Sequence, residues 1–154
     1  MPKLNFDLYS YRIDKAVPDF DESRGLLVMD GNCGACSRWA RMVSYWDRKD
    51  EFRITTIDSK LGRSLQLHYG IDPDDPDSWL YVVDGKVYTS MQAITAVCMK
   101  LGLFFYLFAP MKLVPIGIQD WLYQRIARNR YRFFGRTEMC SLPSPELRRR
   151  LITD

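Results

Sequence analysis

Two cysteines three residues apart, in Cys33-Gly34-Ala35-Cys36, are the residues of this chain best suited to chemistry. Thiols at this spacing exchange a dithiol for a disulfide or ligate a metal. The pair follows an apolar run, Gly25-Leu26-Leu27-Val28-Met29, and a short loop, Asp30-Gly31-Asn32. A helix is predicted directly after it. The first thiol then sits at a helix N-terminus, where the dipole and unpaired N–H groups favour the thiolate. Cys36, Trp39, Ala40 and Val43 share one helical face, which predicts that Cys36 belongs to the buried side. Cys33 is expected at an exposed tip. This asymmetry predicts that Cys33 attacks a substrate disulfide and Cys36 resolves the mixed disulfide. Asp30 is the third candidate, as a cap or loop support, or as a proton acceptor for the thiols. Arg38 and Arg41 are expected on the solvated face.

The remaining cysteines are Cys98 and Cys140, and His68 is the sole histidine. Cys33, Cys36, Cys140 and His68 would make a zinc-competent set. Structural zinc sites usually carry two close-spaced pairs, and here there is one, so exchange without metal or cofactor is the preferred expectation. A non-catalytic zinc module is the alternative. Cys98 lies on an apolar helix face and reads as a packed thiol.

The 154 residues, 47% of them hydrophobic, are enough for one domain with a sizeable core. Leu26–Met29 reads as a buried strand, and Phe52–Ile57 as a second strand. Leu61–Tyr69 reads as a short helix ended by Gly70. Asp84-Gly85 between Trp79–Val83 and Lys86–Thr89 predicts a hairpin with positive φ at both turn residues. Ser90 is expected to cap a helix to about Leu101. Leu103–Val114 is expected to pack on the sheet. A third amphipathic helix carries Ile118, Trp121, Leu122 and Ile126 on one face. Ser144-Pro145 opens a short basic helix. The first strand-helix-strand unit should be right-handed with parallel strands, and the hairpin adds antiparallel ones. The expected class is α/β, a thioredoxin-like mixed sheet with a helical C-terminal extension. Residues 1–24 read as a polar extension and 25–154 as the domain.

Net charge is +3, but residues 1–90 balance to −3 (12 basic, 15 acidic) and residues 91–154 to +6 (10 basic, 4 acidic). A solvated basic face is the simplest account. No signal-peptide pattern is read near the N-terminus, which predicts a reducing cytoplasm. Leu101–Met111 is too short to span a bilayer, which needs about 20 residues. Membrane-surface contact is the alternative for Leu103–Val114 with its flanking lysines. The Arg128–Arg136 block interleaves arginines with Tyr131, Phe133 and Phe134. No nucleic-acid motif accompanies it, so nucleic acid is not an expected partner. Its rings are expected in the core and its arginines paired or near the dithiol.

Taken together, Asp30 to Cys36, the hairpin residues Val82 to Tyr88 with Ala93 after them, and the late block Ala127 to Arg136 with Cys140, Leu142 and Pro143 resemble the DCC family of thiol-disulfide oxidoreductase-like proteins. The resemblance covers about residues 25–151. It implies a thioredoxin-like fold, thiol-disulfide exchange and a thiol or disulfide substrate, on a protein or a small molecule. Met29 stands where an aromatic residue is common in the family, and Gly34 where many members carry another residue. Thioredoxins place a cis-proline before the strand that faces the disulfide, and Pro76 is the nearest candidate.

Overall fold

A computed structural model describes residues 6–74, 78–139 and 143–153. Pro76 and Cys140, singled out above, lie outside the described residues.

Four strands form one sheet in the order β2-β1-β3-β4. β1 is Gly25–Met29, β2 Phe52–Thr56, β3 Leu80–Val83 and β4 Lys86–Thr89. β1 and β2 run parallel, with Leu27 opposite Ile54. β3 is antiparallel to β1 and to β4. The helix that crosses from β1 to β2 is α1, Gly34–Trp46. α2, Lys60–His68, starts at Ser59, whose hydroxyl accepts from the Gly62 N–H. The β3–β4 turn uses the conformation that Asp-Gly favours, with φ of 50° at Asp84 and 72° at Gly85. Such a mixed sheet with its helices is the thioredoxin-like arrangement.

Side chains alternate across β1, so it feeds two cores. Leu27 and Met29 join Ala40 and Val43 of α1 and Ala93 and Val97 of α3 (Ser90–Leu101). Leu26 and Val28 join Leu61 and Leu65 of α2 on the other face. All five β1 residues are buried, which explains the unbroken apolar run.

Residues 6–24, whose sequence is polar and aromatic, carry more packing than a polar extension would. Tyr11 is buried in the second core, and Tyr9, Val17 and Phe20 pack against it. The Tyr9 N–H donates to the Gly85 carbonyl at 3.0 Å. A Cβ on Gly85 would fall 2.6 Å from the Tyr9 ring, so glycine serves both the turn and this close approach. His68 is held on this side of the sheet, between the Ser10 hydroxyl and the Asp14 carboxylate, each at 2.9 Å.

Several local expectations need correction. Ser90 does not cap α3. Its φ is 54°, the residue before the helix is Thr89, and the Ser90 N–H donates to the Ser78 hydroxyl at 2.8 Å. Leu103–Leu113 is a 3-10 segment that packs on α3 rather than on the sheet. Leu107 and Leu113 of that segment are exposed.

The third amphipathic helix is α4, Ile116–Arg128, but its apolar face is turned outward. Ile118, Trp121, Leu122 and Ile126 are exposed, while Gln119 is buried. The Gln119 amide donates to the carbonyls of Met111 and Val114, at 2.5 and 2.7 Å. Those two carbonyls need a donor, and the amide supplies it from the face that periodicity would call polar. α5, Arg130–Phe134, and α6, Pro145–Arg150, complete the extension.

Candidate active site

The dithiol sits where β1 ends and α1 begins. Cys33 is the residue before α1, in extended conformation, and Cys36 lies in the first turn. Both thiols are free. Extended backbone at Cys33 followed by helix points the N–H groups of Ala35 and Cys36 back at the Cys33 sulfur.

Their electrostatics diverge. The Cys33 thiol is pulled from 9.0 down to about 6. The largest cause is the hydrogen bond from the Cys36 thiol; burial opposes it, and the backbone N–H groups of Cys36 and Ala35 add to it. Cys36 is pushed well above the usual thiol range, first by its bond to the Cys33 thiolate and then by burial. The separation between 9.0 and about 6 is worth roughly 4 kcal/mol. A helix terminus ordinarily supplies about 0.3–1 kcal/mol and at most about 2. The hydrogen bond from the second cysteine is the larger contribution, ahead of the N–H groups of the helix start. Cys98, in contrast, is pushed up to about 11 by burial, as a packed thiol should be.

Cys33 does not occupy an exposed tip. It is 0% exposed, and Cys36 is the partly exposed member. The reason lies a hundred residues downstream. Residues 135–139 run antiparallel to the loop before α1 as a strap, with Cys33 bridged to Arg136. The Gly34 N–H donates to Gly135 O at 3.1 Å, Thr137 N–H to Asn32 O at 3.0 Å, and Met139 N–H to Gly31 O at 2.7 Å. A Cβ on Gly34 would stand 2.3 Å from the Phe134 carbonyl oxygen, so glycine lets the cover close. At about 0.5–1.5 kcal/mol per hydrogen bond, lifting the strap costs several kcal/mol.

Asp30 anchors the same cover. Its Oδ1 accepts from the Asn32 N–H at 2.9 Å, the loop-support role expected of it. Its Oδ2 accepts from Arg130 Nη2 at 3.2 Å and from the Tyr131 hydroxyl. The Arg130–Asp30 pair is largely buried. Asp30 does not cap α1, whose start has no side-chain cap. Its negative charge pushes both cysteines upward. Pairing with Arg130 limits that opposition.

Arg38 and Arg41 are exposed, as expected. The late block divides. Arg130 is at the site, but Tyr131, Phe133 and Phe134 keep exposed ring surface instead of entering the core. His68, on α2 with both ring nitrogens occupied, is not brought to the cysteines. Among the described residues no group of three or more His, Cys, Asp or Glu could hold a metal.

A cavity of about 400 Å³ opens beside the dithiol. Cys33, Cys36, Asp30, Trp39, Trp79 and Tyr123 all contribute to its wall. Trp39 and Trp79 meet edge to face at 6.3 Å. Tyr123, from the inward face of α4, hydrogen-bonds Ser78 and the Trp79 backbone, and burial pushes its hydroxyl up to about 12. Sequence reading missed Tyr123 and Ser78 altogether. Tyr123 lies beside the edge of the apolar stripe, next to Ile126, rather than within it, so helical periodicity did not select it.

This sheet order, with a low-pKa thiol at the start of the helix after β1, defines a thioredoxin-like redox architecture. Residues 27–136 match the family model of DCC1-like thiol-disulfide oxidoreductases, and the chain belongs to that family. It is 33% identical over 127 residues to the uncharacterised protein YuxK of Bacillus subtilis (strain 168), covering 82% of this chain and 93% of YuxK. It is 30% identical over 128 residues to a chloroplastic DCC family protein of Arabidopsis thaliana, covering 79% of this chain and 72% of that one. No solved structure matches the chain. Membership supports a thiol-disulfide redox role at the level of the family. Among the described residues no helix is long and apolar enough to cross a membrane.

Proposed function

We propose that this protein is a thiol-disulfide oxidoreductase in which Cys33 is the nucleophile, Cys36 the resolving thiol and Asp30 a positioning residue. The Cys33 thiolate attacks one sulfur of a substrate disulfide. A Cys33–substrate disulfide forms, and the first substrate thiolate leaves and takes a proton. Cys36 then loses its proton and attacks the Cys33 sulfur. The second substrate thiol is released and a Cys33–Cys36 disulfide remains. Two electrons pass to the substrate, with one proton from Cys36 and one from solvent, and the reverse reaction oxidises a dithiol. The carrying observation is the placement of Cys33 immediately before α1 with Cys36 in its first turn, where the hydrogen bond from the Cys36 thiol and the backbone N–H groups lower the Cys33 thiol to about 6. Asp30 acts through Arg130 and Tyr131, keeping the cover seated over the thiolate.

The test is the pH dependence of Cys33 alkylation in the reduced protein, followed by mass spectrometry. The covered sulfur slows the absolute rate, so the midpoint is the readout. A depressed acid constant means that reactivity rises with pH through about 6 and is level by neutrality. A midpoint near the free-thiol value of about 8.5 removes the proposal.

A specific observation favours a second property, attachment to an anionic lipid surface. Leu107, Leu113, Ile118, Trp121, Leu122 and Phe133 are exposed on the C-terminal extension. The chain from residue 91 onward carries the +6 balance. Apolar side chains beside lysines and arginines suit a lipid interface with negative headgroups. Sedimentation with vesicles of phosphatidylcholine plus phosphatidylglycerol is expected to carry the protein down, and phosphatidylcholine alone is not. Trp121→Glu should abolish the effect. Equal binding to both vesicles, or to neither, removes this reading.

A further inference from the structure

Resting on the exchange reading above, we propose that the cavity beside the dithiol takes a small, uncharged, aromatic disulfide rather than a disulfide carried on a protein or a charged peptide. Three observations carry this. The first is access. Cys33 is sealed by the strap on its outer side, and both cysteines contribute to the cavity wall. A protein disulfide has to displace the strap to reach the sulfur. A small molecule inside the cavity leaves the strap in place. It meets the partly exposed Cys36 first, and Cys33, 0% exposed on that side as well, is uncovered by a shift of the cavity wall alone.

The second observation is the lining. Trp39, Trp79, Met42, Met91, Ile94 and Phe134 present rings, thioethers and aliphatic carbon. Of the polar groups in the wall, Asp30 and Ser78 are engaged, Arg130 is paired with Asp30, and Arg38 is turned to solvent. The buried Trp39 N–H is left as a single donor for a ring nitrogen or other neutral acceptor. Asp30 is held by Arg130, Tyr131 and the Asn32 N–H, and Ser78 by Ser90 and Tyr123. A peptide brings several amide donors and acceptors against this one free indole N–H, and burying the rest unpaired is unfavourable. Flat rings and soft sulfur suit such a wall.

The third observation is size. About 400 Å³ lies in the range of small-molecule sites. A cavity of roughly 150 Å³ lined by apolar side chains already holds benzene, so two aromatic rings joined by a disulfide fit this one. The wall also includes Ile126 from the exposed apolar face of α4. An apolar substrate therefore meets apolar surface before it enters. The exchange balances without further reactants, since the protein dithiol plus the aromatic disulfide gives the protein disulfide plus two aromatic thiols.

The reduced protein is mixed with 4,4′-dithiodipyridine, oxidised glutathione or insulin, and each rate is divided by that of 2-mercaptoethanol at equal thiolate concentration. This division removes the intrinsic reactivity of each disulfide. The expected result is a normalised preference for the aromatic probe of about tenfold or more over both others, in line with the discrimination that apolar pockets achieve. Ala127→Phe and, separately, Ile94→Trp fill the cavity, and each is expected to reduce that preference severalfold. Circular dichroism checks that the variants fold, and two positions on different helices guard against one misfolded protein. A ratio near one, a faster normalised rate with glutathione or insulin, or a preference untouched in both folded variants overturns the substrate class. If a Cys33–Cys36 disulfide still forms reversibly in glutathione buffers, the exchange reading survives that failure. If none forms with any disulfide, both fall.

Discussion

Serine in place of Cys33 is expected to lower disulfide exchange by at least ~10³-fold, because the attacking atom is gone. Serine at Cys36 should instead stop the reaction halfway, leaving the substrate bound to Cys33 as a mixed disulfide visible by mass spectrometry. The two variants differ because the thiols differ. Cys33 is pulled to about 6 and Cys36 is pushed upward by the bond they share. Alanine at Cys36 separates the electrostatic role from the resolving role. Serine keeps an O–H donor for the Cys33 thiolate, and alanine removes it. The apparent pKa of Cys33 should therefore rise much further in Cys36→Ala than in Cys36→Ser. With Cys33 returned to about 8.5, the thiolate fraction at pH 7 falls about thirtyfold. Equal midpoints in the two variants would show that the helix terminus, and not the neighbouring thiol, sets the acidity of Cys33.

The largest expected loss of stability comes from a residue far from the sulfur chemistry. Arg150, on α6, is buried against Asp47 at the end of α1. Its Nε donates to Asp47 Oδ2 at 2.8 Å, its Nη2 to Asp47 O at 2.6 Å, and its Nη1 to Glu146 O at 2.9 Å. The Asp47 carboxylate also accepts from the N–H groups of Glu51 and Phe52, at 2.9 and 3.2 Å. This one carboxylate thus ties α1 to the start of β2 and to α6. Arg150→Ala leaves it buried without its cation, which costs about 3–5 kcal/mol. That is a large share of the roughly 5–15 kcal/mol that holds a domain folded. Urea denaturation should show the loss as a lower midpoint. Arg148→Ala and Arg149→Ala, on exposed positions, should stay within about 0.5 kcal/mol of the parent. Similar losses at all three positions would mean that helix charge, not the buried pair, supplies the stability.

The three consecutive arginines also show where sequence reading stops. Arg148, Arg149 and Arg150 are the same residue type on one short helix. Leu147, Arg150 and Leu151 fall at offsets 0, 3 and 4, so helical spacing puts Arg150 on the apolar face. That a buried Asp47 carboxylate waits there is decided by the packing of α6 on α1. α4 makes the same point. Its 3.6-residue pattern is real, but the face that pattern selects is in solvent, and the inward face is chosen by Gln119 and Tyr123. Periodicity reports that two faces differ. It does not report which one the rest of the protein covers.

What the sequence determined by itself was the local chemistry. Backbone preferences of Asp84-Gly85 set the hairpin, the buried run Gly25–Met29 set β1, and the spacing of Cys33 and Cys36 set a thiol pair at a helix start. These follow from steric and hydrogen-bonding demands within a few residues, so neighbours in sequence are enough to read them. An arginine of the late block near the dithiol was expected, but the tertiary structure alone decided that Cys33 is covered, that Asp30 is the group Arg130 and Tyr131 meet, and that both thiols line an apolar cavity. Those contacts join segments about a hundred residues apart, such as Gly34 with Gly135. Packing of the whole chain brings them together, and the residues at either end carry no separate mark of the other.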